Sequence, residues 1–429
     1  MPLSGLLEAV LAEGDGRALA EAARRHGVDI QTISAMTPLA VAAIGAERER
    51  GGADRPVLVV TATSRQADDL AAGLRCLLRD RQVEVFPAWE TLPHERLSPR
   101  ADTVGRRLAV LRRLVHPAPH DPLRVIVAPA RSLLQPMVPG LADLEPIELV
   151  SGQSIELDTA VRRLVDAAYT RVELVERRGE FAVRGGLLDV FPPTEEHPIR
   201  VEFWGDTVEE IRSFAVADQR SLEAVPIGLW APPCRELVLN EDVRRRAAEL
   251  ALDYPELSEM LDAVADGRAI EGMEALTPLL VEAPMVSLIA LLPDGAHVLI
   301  CEPERVSARA SDLVGTSQEF LDASWSSAAV GARAPLDLSG ATLRSLEETR
   351  VEAIARGMLW STVGALDVGD PASTAEPEDP VVLRATPALR YRGDLESALR
   401  DTGELVRQSW RVVLAFTGPG PAERAAEQR

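Results

Sequence analysis

The chain has 429 residues, 46% of them hydrophobic but only 4% aromatic. That length makes room for roughly three domains of about 100–200 residues, with cores built mainly from Leu, Val and Ala. Lys and Arg number 46 against 67 Asp and Glu, a net charge of −21; this excludes the whole chain as a general DNA-binding surface, because nonspecific affinity comes from neutralising phosphates, and leaves only a local basic patch open.

The first 30 residues read as helix, with Leu6, Leu7, Val10 and Leu11 at helical spacing. Val57–Thr61 has the pattern of a buried strand, and Ser64 is placed to cap an amphipathic helix running to about Arg79. Val83–Phe86 is a second strand. A loop from Pro87 to Pro99 precedes a helix that starts at Asp102 or Thr103 and carries Leu108, Leu111 and Leu114; Arg124–Ala128 is a further buried strand. Strands alternating with helices predict a parallel α/β sheet.

The pattern changes after about Pro136. A helix over Ile155–Ala168 is followed by strand-like runs at Val172–Val175, Glu180–Val183, Leu187–Phe191, Ile199–Trp204 and Glu209–Phe214. Alternation and hairpin-like connections predict a mainly antiparallel sheet with a helix, an α+β unit. Helices return from about Pro232. His297–Cys301 has a buried-strand pattern behind a turn at Pro293–Gly295 and is a candidate to rejoin the first sheet, which would make the middle unit an insertion. Asp367–Pro380 reads as a linker or long loop. A helix near Leu395–Thr402 and a strand at Val412–Phe416 follow, and the αβ unit they begin is left unfinished, as expected of a piece of a longer protein. The expected organisation is a first part over residues 1–137, an insertion over 138–228, a second part over 229–335, and a linker with the truncated start of a further small α/β domain over 336–429.

Three absences bear on chemistry. Cys76, Cys234 and Cys301 are far apart and odd in number, which points to reduced thiols in a cytoplasmic protein, and no Cys/His cluster has zinc-ligand spacing. No apolar run approaches the roughly 18 residues of a membrane span, and no signal peptide is visible. The sequence contains no lysine. A phosphate-binding P-loop, GxxxxGK[S/T], needs a flexible ammonium reaching the β/γ-phosphates, so P-loop ATP hydrolysis is not expected of this chain, whether or not a GC-rich coding bias is what removed lysine. The scattered histidines, His26, His116, His120, His197 and His297, form no catalytic arrangement.

The most informative stretch is Arg178–Trp204, RGEFAVRGGLLDVFPPTEEHPIRVEFW. In a strand Ile199–Trp204, Ile199, Val201 and Phe203 face one side as a core, and Arg200, Glu202 and Trp204 face the other. Arginine and tryptophan are the side chains most enriched at binding hot spots. Upstream, Phe181 and Val183 pair as core, and Arg184 breaks the alternation just before Gly185–Gly186. Two glycines there permit a bulge or sharp turn that aims Arg184 outward. Asp189 interrupts an apolar run and either pairs with an arginine or faces solvent. On the residues alone, Arg184 and Arg200 as solvated surface groups and Trp204 as an edge-packing aromatic are the more ordinary reading.

The run GEFAVRGGLLDVFPPTEEHPIRVEFWGDTVEEIRSFAVADQRSLE resembles the second domain of the excision-repair subunit UvrB. FPAWETLPHERLSP followed by GRRLAVLRRL, and downstream IEGMEALTPLL, resemble the amino-terminal part of the bacterial transcription-repair coupling factors, the Mfd family. The resemblance covers roughly residues 55–310 well and the ends loosely.

That resemblance implies a degenerate helicase-like, RecA-type parallel-sheet domain with an inserted UvrB-type domain. It also implies a multidomain ATP-driven DNA translocase that displaces stalled RNA polymerase and recruits UvrA. ATP and Mg²⁺, and the contacts to RNA polymerase and DNA, would belong to regions carboxy-terminal to this chain; no cofactor is expected within it. The family's UvrA-contacting residues fall on Arg184, Arg200 and Trp204, where the familiar aromatic at the last position is phenylalanine. The family also implies that its own carboxy-terminal domain covers this surface at rest.

Two nucleotide-site positions are altered relative to a working helicase. The P-loop position reads Ile33-Ser-Ala-Met-Thr-Pro-Leu, without the glycines that let backbone N–H groups converge on phosphate, and Pro38 lacks an N–H. In HVLICEPERV, Cys301 stands where a metal-holding aspartate is expected, which leaves Glu302. UvrB's aromatic β-hairpin has no match in Pro87–Pro99, where Trp89 and His94 read as packing and loop residues.

Overall fold

The computed structural model describes residues 3–25, 27–78 except 51–55, 82–118 except 93–96, 122–331, 342–364, 380–414 except 392, 416 and 419–427. His26, His94, His120 and all of Asp367–Pro380 but its last residue lie outside the described residues. Contacts divide the chain into two compact units, residues 1–384 and 385–429.

Fifteen strands occur among the described residues of the larger unit. In chain order they are β1 (Asp29–Gln31), β2 (Val57–Thr61), β3 (Val83–Val85), β4 (Val125–Pro129), β5 (Ile147–Leu149), β6 (Thr170–Arg171), β7 (Glu180–Arg184), β8 (Leu187–Val190), β9 (Ile199–Trp204), β10 (Thr207–Phe214), β11 (Ser221–Ala224), β12 (Leu229–Ala231), β13 (His297–Cys301), β14 (Leu359–Gly364) and β15 (Val381–Val382).

Seven of them form a wholly parallel sheet in the order β15-β1-β14-β13-β2-β4-β3. Every residue of β2, β4 and β13 is buried, because helices cover both faces. Leu58, Val60 and Ile126 pack in one core cluster and Val57, Val59 and Val127 in another, which is the alternation a strand imposes. The expected parallel α/β sheet is therefore observed, and His297–Cys301 sits in it between β2 and β14.

Several elements differ from expectation. The first 30 residues hold two helices, Ser4–Ala12 and Gly14–Arg25, and then β1. The helix after β2 is capped by Thr63, whose hydroxyl and the Gln66 side chain close a capping box; Ser64 is already its first residue. Residues assigned beyond 335 to a further domain supply β14 and β15 to the parallel sheet, where β14 fills the place between β1 and β13. Val381–Val382 is too short to reveal that pairing, and Ser361 and Thr362 interrupt the apolar pattern of Leu359–Gly364. Unit 385–429 contains helices Leu395–Arg407 and Pro419–Glu427, and the described part of Val412–Phe416 is not a strand.

Between β4 and β13 the chain builds a six-stranded sheet in the order β11-β10-β9-β8-β7-β6, antiparallel except for β6 against β7. The expected strand at Val172–Val175 is instead the short β6 just before it. Val175 is fully buried, but in a loop that covers the sheet. The helix Leu157–Asp166 packs its Ala160 and Leu164 with Phe181, Leu188, Val190, Ile199 and Val201 as the main core of this region.

A helix beside the parallel sheet carries a buried ion pair. Arg107, on the helix Ala101–Val115, is fully buried and donates through Nε to Glu236 at 2.5 Å and through Nη1 to the Pro87 carbonyl at 2.9 Å. Its guanidinium lies 4.3 Å from the Phe86 ring centroid. Trp89 donates its indole N–H to the same carboxylate at 3.0 Å, which makes Trp89 a packing residue with its polar atom satisfied. Among the described residues no helix is long and apolar enough to cross a membrane.

Candidate protein-interaction site

The site is built on β7, β8 and β9. Cross-strand pairing sets Ala182 opposite Asp189 and Asp189 opposite Arg200. One row further along, Arg184 faces Leu187 and Leu187 faces Glu202. Side chains two residues apart share a face, so Arg184, Asp189, Arg200, Glu202 and Trp204 all lie on one side of the sheet. The opposite side carries Phe181, Leu188, Val190, Ile199 and Val201 in the core. The expected division of Ile199–Trp204 is observed, with Phe203 only partly buried.

The β7–β8 connection is a two-residue hairpin, Gly185–Gly186, with Arg184 and Leu187 paired across it. Gly185 has φ +61°, the left-handed first position of a type II′ turn. A Cβ on Gly186 would lie 2.8 Å from the Phe203 carbonyl oxygen. The turn therefore needs glycine at the first position for conformation and at the second for space, and it leaves Arg184 at the end of its strand.

Asp189 is the hub. Only 1% of its side chain is exposed, and both oxygens are occupied. Arg200 donates through Nε to Oδ1 at 2.7 Å and through Nη2 to Oδ2 at 2.9 Å, a bidentate fork. Arg184 donates through Nη2 to Oδ2 at 2.9 Å. The two arginines differ in freedom. Arg200 is 15% exposed, gives Nη1 to the Gln219 carbonyl at 3.2 Å, and stacks its guanidinium 4.7 Å from the buried Phe214 ring centroid. Its hydrogen bonds to Asp189 hold its pKa above the usual arginine value, against the opposing effect of burial. Arg184 is 48% exposed. Trp204 is 79% exposed at the end of β9, where Gly205–Asp206 turns the chain into β10.

The sequence expectation of Arg184, Arg200 and Trp204 on one face matches their placement on this sheet. What the sequence reading missed is the extent of the hub. Gln219 and Phe214, which complete the seat of Arg200, give no signal of their own. Asp189 did, as a carboxylate inside an apolar run, and it is paired with both arginines.

The altered helicase positions have ordinary partners. The Ile33–Leu39 segment follows β1 as a 3₁₀ turn, Ser34–Met36, and enters the helix Thr37–Arg50, with Pro38 at its start. Glu302 has φ +50° and precedes the helix Pro303–Gly331. Its carboxylate accepts from Gln66 Nε2 at 3.0 Å and Arg305 Nη1 at 2.6 Å. Burial pushes the neighbouring Cys301 thiol up to about 12.

Residues 147–227 match the UvrB interaction domain family. They span β5 to the end of the six-stranded sheet and include all three candidate residues. The whole chain is 44% identical over 446 aligned residues to the transcription-repair-coupling factor of Mycobacterium tuberculosis. It is 34% identical to that of Myxococcus xanthus over 58% of its length, and 30% identical to that of Escherichia coli over 50%. The chain spans 35% of the mycobacterial relative and 19% of the Escherichia coli one. Along its whole length, then, the chain resembles the UvrB-like amino-terminal region of the transcription-repair-coupling factors.

Proposed function

We propose that this chain is the UvrA-recruiting module of a transcription-repair coupling factor, and that the face carrying Arg184, Arg200 and Trp204 binds UvrA. The observation that carries this reading is the half-exposed Arg184 guanidinium, tied to Asp189, on the same sheet face as an exposed indole, within the segment that matches the UvrB interaction domain. An exposed guanidinium seeks a carboxylate or carbonyl acceptor, and an indole offers a flat apolar surface with one N–H donor. Together they fit a protein surface of mixed acidic and apolar character.

In this reading the chain turns over no nucleotide and needs no cofactor or metal. The complete protein is an ATP-dependent DNA translocase acting in the cytoplasm, with ATP, Mg²⁺, DNA and RNA polymerase handled by other regions. Its carboxy-terminal domain covers the Arg/Trp face until recruitment is needed. A competing reading makes the chain a stand-alone DNA-binding or ATPase domain of a helicase-like repair protein. It has against it the −21 charge and the lack of any lysine.

The test is a pull-down of purified UvrA with the chain and with its Arg184→Ala/Arg200→Ala variant, with ATPase and lesion-duplex binding measured alongside. Capture by the parent chain and its loss in the variant support the proposal. Equal capture by both removes the site assignment. Nucleotide turnover above a contaminant control, or a salt-sensitive shift of the duplex, favours the competing reading.

A further inference from the structure

We infer that Asp189 is a positioning residue for partner binding: it holds Arg184 in its docking geometry, and Arg200 serves chiefly to brace Asp189. This inference rests on the UvrA-binding reading of the face and divides the labour within it.

The two arginines are not equivalent contacts. Arg200 spends Nε and Nη2 on Asp189 and Nη1 on the Gln219 carbonyl, and Phe214 covers one face of its guanidinium. Little of it is left for a partner, since 15% of the side chain is exposed. Arg184 spends one N–H group, on Asp189 Oδ2. Among the described residues its Nε and Nη1 make no hydrogen bond, and about half of the side chain meets solvent. Asp189 itself, at 1% exposure, reaches no partner. It acts through what it fixes.

Two physical consequences follow. A long arginine loses rotamer freedom on docking, which opposes binding; Asp189 removes part of that freedom beforehand. A buried carboxylate also tolerates the loss of a guanidinium poorly. The bidentate fork from Arg200 is what keeps Asp189 in place while Arg184, still held by it, offers its remaining N–H groups to a partner. The fork requires a planar guanidinium, which an ammonium does not reproduce.

The test measures UvrA affinity of the full 429-residue chain by titration calorimetry, with a thermal melt of each variant. The variants are Arg184→Ala, Asp189→Asn, their double mutant, and Arg200→Lys. Asp189→Asn keeps the shape of the side chain and removes its charge. It is expected to weaken UvrA binding about tenfold, in line with loss of one charged anchor, while in the Arg184→Ala background it changes affinity by less than about twofold. Arg200→Lys is expected to give an intermediate loss; because it keeps Asp189, it carries the test if Asp189→Asn fails to fold. Unchanged affinity in Asp189→Asn, or losses that multiply in full in the double mutant, overturn the inference while leaving the UvrA site standing. Unchanged affinity in Arg184→Ala overturns the site and the inference together.

Discussion

The parallel sheet and the antiparallel sheet of this chain treat arginine in opposite ways. Beside the parallel sheet, Arg107 is sealed: it is fully buried, paired with Glu236, and roofed by Phe86 and Trp89. On the antiparallel sheet, Arg184 is tied at one N–H group and otherwise open. The difference comes from architecture. A parallel sheet has helices on both faces, so a charge beside it must be neutralised inside the fold. An antiparallel sheet needs only one covered face, and the other can present side chains to a partner. The first region is scaffold, and the second offers a surface.

The largest effect expected from this contrast is on stability. Arg107→Ala strands the Glu236 carboxylate and is expected to cost about 3–5 kcal/mol in denaturant unfolding. Arg184→Ala is expected to change stability by no more than about 1 kcal/mol, because its pair is partly solvated. Similar losses for the two would erase the distinction between sealed and open arginines.

Trp204→Ala sharpens the same contrast. Its side chain is 79% exposed, so unfolding free energy should stay within about 0.5 kcal/mol of the parent. UvrA affinity should fall at least about fivefold if the indole is an anchor. Retained affinity would confine the surface to the arginines.

Thiol chemistry separates buried scaffold from surface with a smaller signal. Cys76 is exposed, and Cys234 and Cys301 are buried. Burial raises both buried thiols, Cys301 to about 12. One thiol should react quickly with an aromatic disulfide reagent at mild alkaline pH, and the other two only on unfolding. The sign for stability follows from linkage. A folded pKa raised above the unfolded value of about 8.5 leaves stability intact below that pH and erodes it as pH climbs toward the folded value. Three fast thiols would mean that the sheet opens locally.

The smallest expected effect is at Asp15, whose pKa is lowered by its hydrogen bonds from Arg384. A depressed carboxylate supports the fold above its unfolded pKa and loses that support as pH falls through the folded value. Since the pair is exposed, only a slight acid-side difference between the parent and Asp15→Asn is expected. A large difference would show that this tether matters more than its exposure allows.

Much of this was legible in residue order. The runs VLVVT, RVIVA and HVLIC announce strands buried on both faces, because period-two alternation vanishes when both sides are core. The alternation in IRVEFW announces the opposite, and both descriptions match the structure. Other strands were not legible: β1 and β15 carry too few residues for a pattern, Ser361 and Thr362 interrupt the apolar run of β14, and the membership of all three in the sheet depends on partners far away in sequence. Val175 reads as strand because it is apolar, yet it is core in a loop. Glu236 gives no hint that it neutralises Arg107, 129 residues earlier.

By itself, the sequence determined the chemistry that is available: no lysine for a P-loop, glycines at 185 and 186 for a tight turn, and an arginine and a tryptophan placed by alternation on one strand face. These are local properties, set by residue type and a two-residue period. Only the tertiary structure decided what each arginine does. Register placed Asp189 between Arg184 and Arg200, and the end of β10 with the turn that follows it brought Phe214 and Gln219 onto Arg200 alone. One guanidinium was thereby buried as a brace and the other left open, because burial depends on which distant segments pack over a site.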